Sequence, residues 1–386
     1  MESIQRPKKD QDWKWLRRKR RPGLRSLPKQ TIRMIDLFSG CGGISMGVQA
    51  ACLDLNIHLQ PVIAWDIFTA ATDVYAKNFS GVEIRSEPIE AIIDGERGQP
   101  PTESERKFIE SVGEINLIVG GPPCQGNSNL NNHTRGIDDR NLLYLRMARM
   151  IEILQPEYAI IENVAGVRRA QQNVVSETKN WLETIGYSTV EGLINGRHVG
   201  VPQMRKRHFS IASRVSELNL SAFQHREGIE ERPISWAIED LLEVYDENDV
   251  LNSASTAKEE NQARMDYLIE NDVYNLPSEH RPKCHQKYDE HGPSGNTYPA
   301  VYGRMYWDRP APTITTGYSC NGRGRFTHPK LARCLTVREA ARVQSFPDFF
   351  DFRNQKRTNL NKMLGNAVPP LMAKHIAGVL LFTNSV

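Results

Sequence analysis

TIRMIDLFSGCGGISMGVQAACLDL, residues 31–55, decides the fold. Residues 31–38 form an apolar run that predicts a buried strand, and residues 44–55 place apolar side chains at helical spacing. SGCGG (39–43) lies between them, and its glycines permit a sharp backbone turn. A strand, a tight turn and a helix in this order begin a βαβ unit, so the segment predicts an α/β fold around a parallel sheet.

The same alternation continues along the chain to about residue 215. A strongly amphipathic segment, 141–154, predicts a helix between two of the further strands. Those strand candidates are PVIAW (61–65), INLIVGG (115–121), EYAIIEN (157–163) and HFSIAS (208–213). This order predicts a Rossmann-like, doubly wound sheet.

A change of composition marks an inserted domain. Residues 216–330 are polar and rich in Gly, Pro and acids, whereas helical periodicity returns at 336–344 and 369–382. The predicted division is a basic arm over 1–30, a sheet domain over 31–215, a smaller inserted domain over 216–330, and a return to the sheet domain over 331–386.

Composition limits the class of protein. No stretch of the 386 residues approaches the roughly 20 apolar residues that span a bilayer, so we expect a soluble, intracellular protein without a membrane partner. The six scattered cysteines lack the spacing of a disulfide framework and are predicted to be reduced. Cys284, His285 and His291 are conceivable zinc ligands, but their spacing matches no standard pattern, so no metal is predicted.

Positive charge is concentrated at the start of the chain. Residues 1–33 carry a charge of +9, which leaves −6 for the remainder. WKWLRRKRR (13–21) combines two tryptophans with a dense basic run, a pattern typical of segments that neutralise phosphates without reading sequence. A solvated, disordered tail is an equally good interpretation.

Two glycine-containing turns are candidate sites because open α/β sheets bind ligands beyond the carboxyl ends of their strands. DLFSGCGG (36–43) lets backbone approach a ligand closely, and its spacing suits a nucleoside without a pyrophosphate better than NAD. GGPPCQG (120–126) presents Cys124 after two prolines that fix the backbone. A buried structural cysteine is the alternative, but the polar loop over 125–141 favours an exposed nucleophilic thiol.

Three charged residues follow the later strands. Glu162 comes at the end of IIENV (160–164), where partial burial would raise the pKa of a carboxyl group and make it an acid near neutral pH. Arg205 and Arg207 in QMRKR (203–207) would face the same side if the segment were a strand. The alternatives are a loop carboxylate and a surface basic cluster.

Taken together, the motifs resemble the DNA cytosine-5 methyltransferases of bacterial restriction-modification systems. The resemblance rests on six blocks in the family's order, over residues 31–386. They are DLFSGCGG (36–43), GGPPCQG (120–126), IIENV (160–164), QMRKR (203–207), RCLTVREAARVQSFPD (333–348) and LGNAVPP (364–370). It implies an S-adenosylmethionine-dependent methyltransferase sheet and an inserted target-recognition domain.

The resemblance also implies a mechanism. Cys124 would attack C6 of a flipped cytosine, Glu162 would bond or protonate N3, and Arg205 and Arg207 would hold the O2 side and the carboxylate. The polar loop over 125–141 would close over the flipped base. The implied cofactor is S-adenosylmethionine, which leaves as S-adenosylhomocysteine.

The remaining implied roles concern the cofactor and the DNA. Trp65 would stack on adenine. The cofactor residues implied by the resemblance are Phe38, Ser39, Gly40, Gly42, Trp65, Asp66 and Asn366. The implied DNA-binding residues are Gln125, Ser128, Thr313, Arg323 and Arg325. The family implies double-stranded DNA as partner, a monomer, a cytoplasmic location at the bacterial nucleoid, and a cognate restriction endonuclease as a functional partner.

Two residues depart from the family pattern, and two alternative functions remain open. Ala64 stands where the family commonly has a ribose-binding glutamate, so either Asp66 substitutes or cofactor binding is weaker. Asn127 stands where phenylalanine usually follows PCQG. A transfer RNA cytosine-5 methyltransferase and a catalytically idle DNA-binding regulator are the alternatives. The roughly 115-residue inserted region favours duplex DNA over the first, and intact catalytic residues disfavour the second.

Overall fold

The computed structural model describes residues 9–123, 142–166, 174–283, 285 and 300–382. The strands are β1 Thr31–Leu37, β2 His58–Trp65, β3 Glu83–Arg85, β4 Leu117–Gly120, β5 Tyr158–Val164, β6 Ser188–Asn195 and β7 Lys206–Ser213. The helices are α1 Gln11–Leu16, α2 Gly43–Asp54, α3 Thr69–Asn78, α4 Glu103–Val112, α5 Leu142–Leu154, α6 Val174–Thr184, α7 Leu220–Gln224, α8 Ile234–Ile238, α9 Glu259–Glu270, α10 Val337–Val343, α11 Arg357–Asn366 and α12 Pro370–Phe382.

The seven strands form one sheet in the order β3-β2-β1-β4-β5-β7-β6. The first five are parallel, whereas β7 runs antiparallel to both β5 and β6. This confirms the predicted Rossmann-like α/β fold. Strands β3 and β6 were not predicted, because β3 has only three residues and β6 buries little more than Gly192 and Ile194.

Helices cover both faces of this sheet. Ile35 and Leu37 of β1 belong to an apolar core that includes residues of α4, α5 and α6. Asp36, between them, points to the opposite face, where its carboxylate accepts a hydrogen bond from Ser45 of α2. Burial on both faces explains why β1 is apolar over nearly its whole length.

The chain divides into two compact units. The sheet unit consists of Arg21–Val199, Lys206–Ile229 and Ala367–Val386, and the second unit consists of Met1–Arg20, Gly200–Arg205 and Glu230–Asn366. Compactness therefore places 206–229 with the sheet and 331–366, including α10 and α11, with the second unit. The predicted boundaries at 215 and 331 followed composition and periodicity, which do not report which residues pack together.

Alongside its apolar core, the second unit contains several buried charged side chains that are paired with one another. Arg342 on α10 is 1% exposed, and its guanidinium binds Asp348 and Asp240. Glu339, one turn before it, accepts two hydrogen bonds from Arg333 and completes a capping box with Thr336. Buried charges of this kind persist in folded proteins only when they are paired, so these networks hold the irregular chain of this unit together.

Residues 10–17 of the basic arm are packed and do not form a solvated tail. Trp15 and Leu16 of α1 are buried in the second unit. Arg232, which lies more than 200 residues later in the chain, binds the carboxylates of Asp10 and Asp12. The tail interpretation is therefore wrong for residues 10–17, because the partners that order them are distant in sequence.

Candidate active site

Four neighbouring strands of the sheet unit end at one edge and bring the predicted residues together. Strand β2 ends at Trp65, and β1 is followed by the loop Phe38–Gly42. Strand β4 ends at Gly120 and leads into GPP (121–123), and β5 carries Glu162 near its end. Open α/β sheets bind ligands at this edge, so ligand binding here remains a prediction.

The loop after β1 has a conformation that glycine favours. Gly40 and Gly42 have φ values of +53° and +92°. A Cβ at Gly42 would come within 2.8 Å of the Phe79 ring, whereas a Cβ at Gly40 would meet nothing within 4 Å. Packing therefore requires Gly42, while the open side of Gly40 leaves room for a ligand to approach the backbone.

Two polar atoms at this loop lack partners among the residues that the structure describes. Ser39 Oγ is buried without a hydrogen bond, and so is Asp36 Oδ1. Burial raises the pKa of Asp36 to about 7, with the nearby Asp66 carboxylate contributing in the same direction. An orphaned buried hydroxyl beside an open glycine fits a polar ligand at this loop.

Asp66 supports the loop from β2. Its Oδ2 accepts a 2.8 Å hydrogen bond from Gly40 N, and its Oδ1 accepts one of 2.8 Å from Phe68 N. Both oxygens therefore serve the backbone, which disfavours the idea that Asp66 takes over ribose binding from the missing glutamate at position 64. Ala64 itself is fully buried.

Trp65 is nearly buried at the end of β2. It is 3% exposed, and its indole Nε1 donates a hydrogen bond to Glu87 O. The Arg85 guanidinium lies 5.4 Å from the centre of its ring. Stacking of adenine on Trp65 remains a prediction, and it would require the cofactor to reach the ring beside Arg85.

Glu162 and Arg207 form an ion pair across β5 and β7. Arg207 Nε lies 2.8 Å from Glu162 Oε1, and the two side chains are 15% and 11% exposed. Burial lowers the pKa of Arg207, and the Glu162 carboxylate acts against that shift. The pair places a carboxyl group and a cation side by side at the sheet edge, as the sequence predicted.

The segment that leads to Cys124 is fixed against the same strand. Asn163 Nδ2 donates a 2.9 Å hydrogen bond to Pro122 O. A Cβ at Gly121 would lie 3.0 Å from Glu162 Oε2, so glycine leaves the space that the carboxylate occupies. Cys124, Gln125, Asn127, Ser128 and the predicted closing loop over 125–141 lie outside the described residues.

Arg205 is placed differently from Arg207. It precedes β7 instead of lying in it, so the strand geometry predicted for the pair is wrong at this position. Its guanidinium is fully buried in the second unit, where it donates hydrogen bonds to the carbonyl oxygens of Ile314, Gly365 and Asn366. These contacts order backbone, whereas Arg207 pairs with a side chain of the candidate site.

Three of the predicted DNA-binding residues lie in the second unit, and they differ in exposure and in the contacts they make. Thr313 is partly exposed, and its hydroxyl donates to Met204 O. Arg323 is exposed, but Arg325 binds Tyr274 O, Arg304 O and the Asn275 side chain. Arg325 is thus committed to holding the chain, which leaves Arg323 as the better candidate of the two.

Some site residues are absent from the sequence prediction, and one stays untested. Asn163 and Gly121 were missed, although both lie inside quoted motifs, because their parts depend on contacts between neighbouring strands. Asp36, Ser45 and Tyr75 form a further hydrogen-bonded group behind the loop, since Ser45 Oγ also lies 2.7 Å from Tyr75 Oη. Asn366 ends α11 in the second unit, and its contact with a cofactor remains a prediction.

Sequence comparisons find a family and relatives that resemble this chain over most of its length. The sequence model of the C-5 cytosine-specific DNA methylase family matches residues 32–381. The Type II methyltransferase M1.BsuMI of Bacillus subtilis (strain 168) is 44% identical over 366 residues, which cover 95% of this chain and 84% of the relative. The Type II methylase M.HgiDII of Herpetosiphon aurantiacus is 31% identical over 354 residues, which cover 89% and 93%.

Structural comparisons agree with the fold. A putative DNA modification methyltransferase encoded within an Escherichia coli prophage superposes with a TM-score of 0.62 at 23% identity, over 92% of this chain and 100% of that one. The Dnmt2 methyltransferase of Schizosaccharomyces pombe superposes with a TM-score of 0.60 at 20% identity, over 92% of this chain and 100% of that one. At these identities the likeness concerns the fold alone.

The described residues contain neither a membrane-spanning helix nor a metal-binding cluster. None of their helices is long and apolar enough to cross a membrane. Among the same residues, no group of three or more His, Cys, Asp or Glu side chains could hold a metal ion. Cys41, Cys52, Cys320 and Cys334 are not disulfide-bonded, while Cys284 and His291 lie outside the described ranges.

Proposed function

The chain belongs to the C-5 cytosine-specific DNA methylase family, and we propose that it methylates C5 of a flipped cytosine in one specific duplex sequence through a covalent bond between Cys124 and C6. It is a DNA cytosine-5 methyltransferase related to the Type II methyltransferases of bacterial restriction-modification systems. The cofactor, the covalent step and the roles of individual residues are the proposal.

The Arg207–Glu162 ion pair is the observation that carries the proposal. It lies at the sheet edge, beside Gly121 and the pinned Pro122 that lead directly to Cys124. A nucleophile, an acid and a cation are the groups that activation of cytosine requires. The acid and the cation lie side by side next to the segment that precedes Cys124 in the chain, which supports covalent catalysis over mere DNA binding.

The chemistry begins with the base. Cytosine C5 is a poor nucleophile, and addition of the Cys124 thiolate to C6 makes C5 enamine-like while charge develops toward N3 and O2. Glu162 donates a proton or a hydrogen bond to N3. Arg207 keeps the carboxyl group oriented through Nε, while its Nη2 makes no hydrogen bond within the described residues and is available to O2.

The second half of the reaction restores the enzyme. C5 acquires the methyl group, then loses its proton, and elimination across C5 and C6 releases the thiolate. Because these atoms lie inside a stacked duplex, the cytosine must leave the helix to reach Cys124. Asn163 contributes by fixing the backbone two residues before the thiol, so that the nucleophile is placed before the base arrives.

S-adenosylmethionine, when bound, supplies an electrophilic methyl group on a sulfonium and leaves as S-adenosylhomocysteine. Phe38, Ser39, Gly40 and Gly42 would hold it at the loop after β1, with Trp65 beside adenine. Asp66 acts indirectly, since it fixes the loop through Gly40 N. Asn366 completes the proposed set.

Recognition of the DNA is assigned to the second unit. Thr313 would contact the phosphate backbone and Arg323 a base or a phosphate, whereas Arg205 and Arg325 hold the recognition framework itself. We expect a monomer that acts in the bacterial cytoplasm, together with a restriction endonuclease that reads the same sequence. Sequencing of methylated DNA from a host that expresses the chain would give that sequence.

Trapping on a modified substrate tests the mechanism. DNA carrying 5-fluorocytosine and labelled S-adenosylmethionine should give a covalent complex with the wild-type protein, since fluorine at C5 cannot leave as a proton. Cys124→Ala should give none. The proposal fails if wild type forms no complex on DNA that it methylates when unmodified, or if the complex persists without the thiol.

One control separates the rival substrates. The same assay with transfer RNA in place of DNA should show no methyl transfer, and transfer to RNA alone would favour the transfer RNA enzyme. Methyl transfer to neither, with intact DNA binding, would identify an idle regulator. Relatives named as Type II methyltransferases support DNA as the substrate.

A further inference from the structure

Residues 10–17 are anchored in the second unit at several points. Trp15 and Leu16 are buried, and the Arg232 guanidinium binds Asp10 and Asp12 at 2.5 and 2.9 Å. Removal of this segment would expose apolar surface and leave the buried Arg232 short of its two carboxylates. The segment is therefore part of the folded unit.

The basic run that follows divides into held and exposed cations. Arg17 Nη2 binds Trp236 O and Asp240, and Lys19 Nζ binds Asp348, so these two side chains fasten the run. Arg18 and Arg20, which alternate with them, are exposed, and neither side chain meets a carboxylate among the described residues. Between residues 13 and 30 the chain has eight Lys or Arg and no acid.

Contacts connect this run to the segment that carries Thr313. Arg17 binds α8 at Trp236, and the start of α8 is bonded to the chain over 307–309 through Ile234 N to Arg309 O and Ser235 N to Trp307 O. Thr313 follows four residues later. The exposed cations thus belong to the same compact unit as the proposed contacts Thr313 and Arg323.

We propose that Arg18 and Arg20 are a built-in phosphate clamp that binds the backbone of duplex DNA outside the recognised sequence. This inference rests on the proposed function for its substrate, since a DNA duplex is the polyanion that the enzyme must hold. Arg17 and Lys19 fix the backbone, so less conformational entropy is lost on binding than for a free tail. Such contacts neutralise phosphates and carry no base preference.

Neutralising the two exposed arginines tests the proposal without disturbing the anchor. Arg18→Gln with Arg20→Gln should weaken binding of a mixed-sequence 40-base-pair duplex about tenfold at low salt and lower the salt slope by roughly two, since each phosphate contact contributes about 0.9. Fluorescence anisotropy at several salt concentrations measures both. The melting temperature and the methylation rate at saturating DNA should not change.

The matched control removes the same charge from the sheet unit. Arg106→Gln with Lys107→Gln alters two exposed cations of α4 and should change affinity less than twofold. Equal effects of the two double variants, or a selective loss of RNA binding, would overturn the clamp. If wild type neither binds nor methylates DNA, the proposed function fails; if it does both and the arginine variant matches it, only the clamp fails.

Discussion

The sheet edge and the buried charged networks of the second unit use polar side chains in different ways. In the second unit, buried Arg342 and Glu339 have partners for their charged groups. At the sheet edge, Ser39 Oγ and Asp36 Oδ1 are buried without partners in the described residues. An unmet buried polar group costs about 1–3 kcal/mol. Tyr318 Oη and Thr327 Oγ1 of the second unit are also buried without partners among the described residues. The position of Ser39 at the sheet edge where α/β folds bind ligands, and not the missing partner alone, therefore makes it a candidate ligand contact.

Arg205 and Arg207 show the same contrast two residues apart. Arg205 donates from Nη1 and Nη2 to three backbone carbonyl oxygens of its own unit, whereas Arg207 binds the Glu162 carboxylate through Nε. The motif QMRKR (203–207) therefore contains one arginine that orders backbone and one that pairs with a side chain of the candidate site, and the sequence alone does not distinguish them. The following predictions test whether this division is real.

The largest effect is expected from Glu162→Gln. An amide cannot protonate N3, so the single-turnover rate of methyl transfer should fall about 10²- to 10⁴-fold. Rapid-quench measurements with saturating DNA would give the rate, and thermal melting should shift little because glutamine keeps the hydrogen-bond acceptor for Arg207. A rate within threefold of wild type would remove Glu162 from the chemistry.

The next effect separates the two arginines. Arg205→Met leaves two buried carbonyl oxygens, of Ile314 and Gly365, without their donor, so the free energy of unfolding should fall by about 3 kcal/mol. Arg207→Met should lower the rate strongly and the stability by less. Urea unfolding would give the stability of both variants, and single-turnover kinetics would give their methylation rates. Together these measurements separate a structural arginine from one that acts in the site. A stable but inactive Arg205→Met would instead make Arg205 a substrate contact.

A pH effect of intermediate size is expected from Asp36. Its pKa is raised from 3.8 to about 7 in the folded protein, so the folded state keeps a proton that the unfolded state loses. That contribution to stability is complete below pH 4 and is lost as pH rises through 7. Compared with the Asp36→Asn variant, the free energy of unfolding of the wild type should fall by roughly 2–3 kcal/mol more between pH 5 and 8.

Denaturant unfolding of both proteins across that pH range measures the difference. The comparison with the asparagine variant cancels the titration of other carboxyl groups. Parallel stability curves would show that Asp36 is ionised in the folded protein, and the sheet edge would then hold a buried anion instead of a neutral acid.

The smallest effect is expected from Ser39→Ala. Its hydroxyl has no partner in the described protein, so its removal should leave stability unchanged or slightly higher. If the hydroxyl binds the cofactor, affinity for S-adenosylhomocysteine should fall about fivefold, which calorimetric titration would measure. Reduced stability with unchanged affinity would assign the hydroxyl to the fold.

The sequence predicted the parts of the molecule that depend on local patterns. Strand β1, its glycine turn and α2 were predicted because apolar periodicity and glycine positions are local signals. The predicted site residues that the structure describes in the sheet unit do come to one edge. Parallel strands bring their carboxyl ends together whatever lies between them, which makes this part of the site predictable.

The rest depends on contacts that no local pattern reveals. Strand β6 was missed because it buries few side chains, and Gly192 within it is needed for contact with Leu220. The sequence of the basic arm resembles that of a free tail. Its binding partners Asp240 and Asp348 lie more than 200 residues away, so only the structure reveals them. Likewise, only the fold shows that Arg205 precedes β7 and belongs to another unit than Arg207.

The contact between α2 and α12 sets an order of events during synthesis. Gly43 and Gly47 of α2 lie so close to α12 and the chain before it that a Cβ would strike Val368 O and the backbone at Pro370. More than 300 residues separate the two helices, so at about 5–20 residues per second the ribosome needs on the order of 15–60 s between them. During that time α2, which follows the glycine loop after β1, lacks the helix that packs against it. The loop proposed to bind the cofactor therefore cannot have its final support until α12 has emerged from the ribosome.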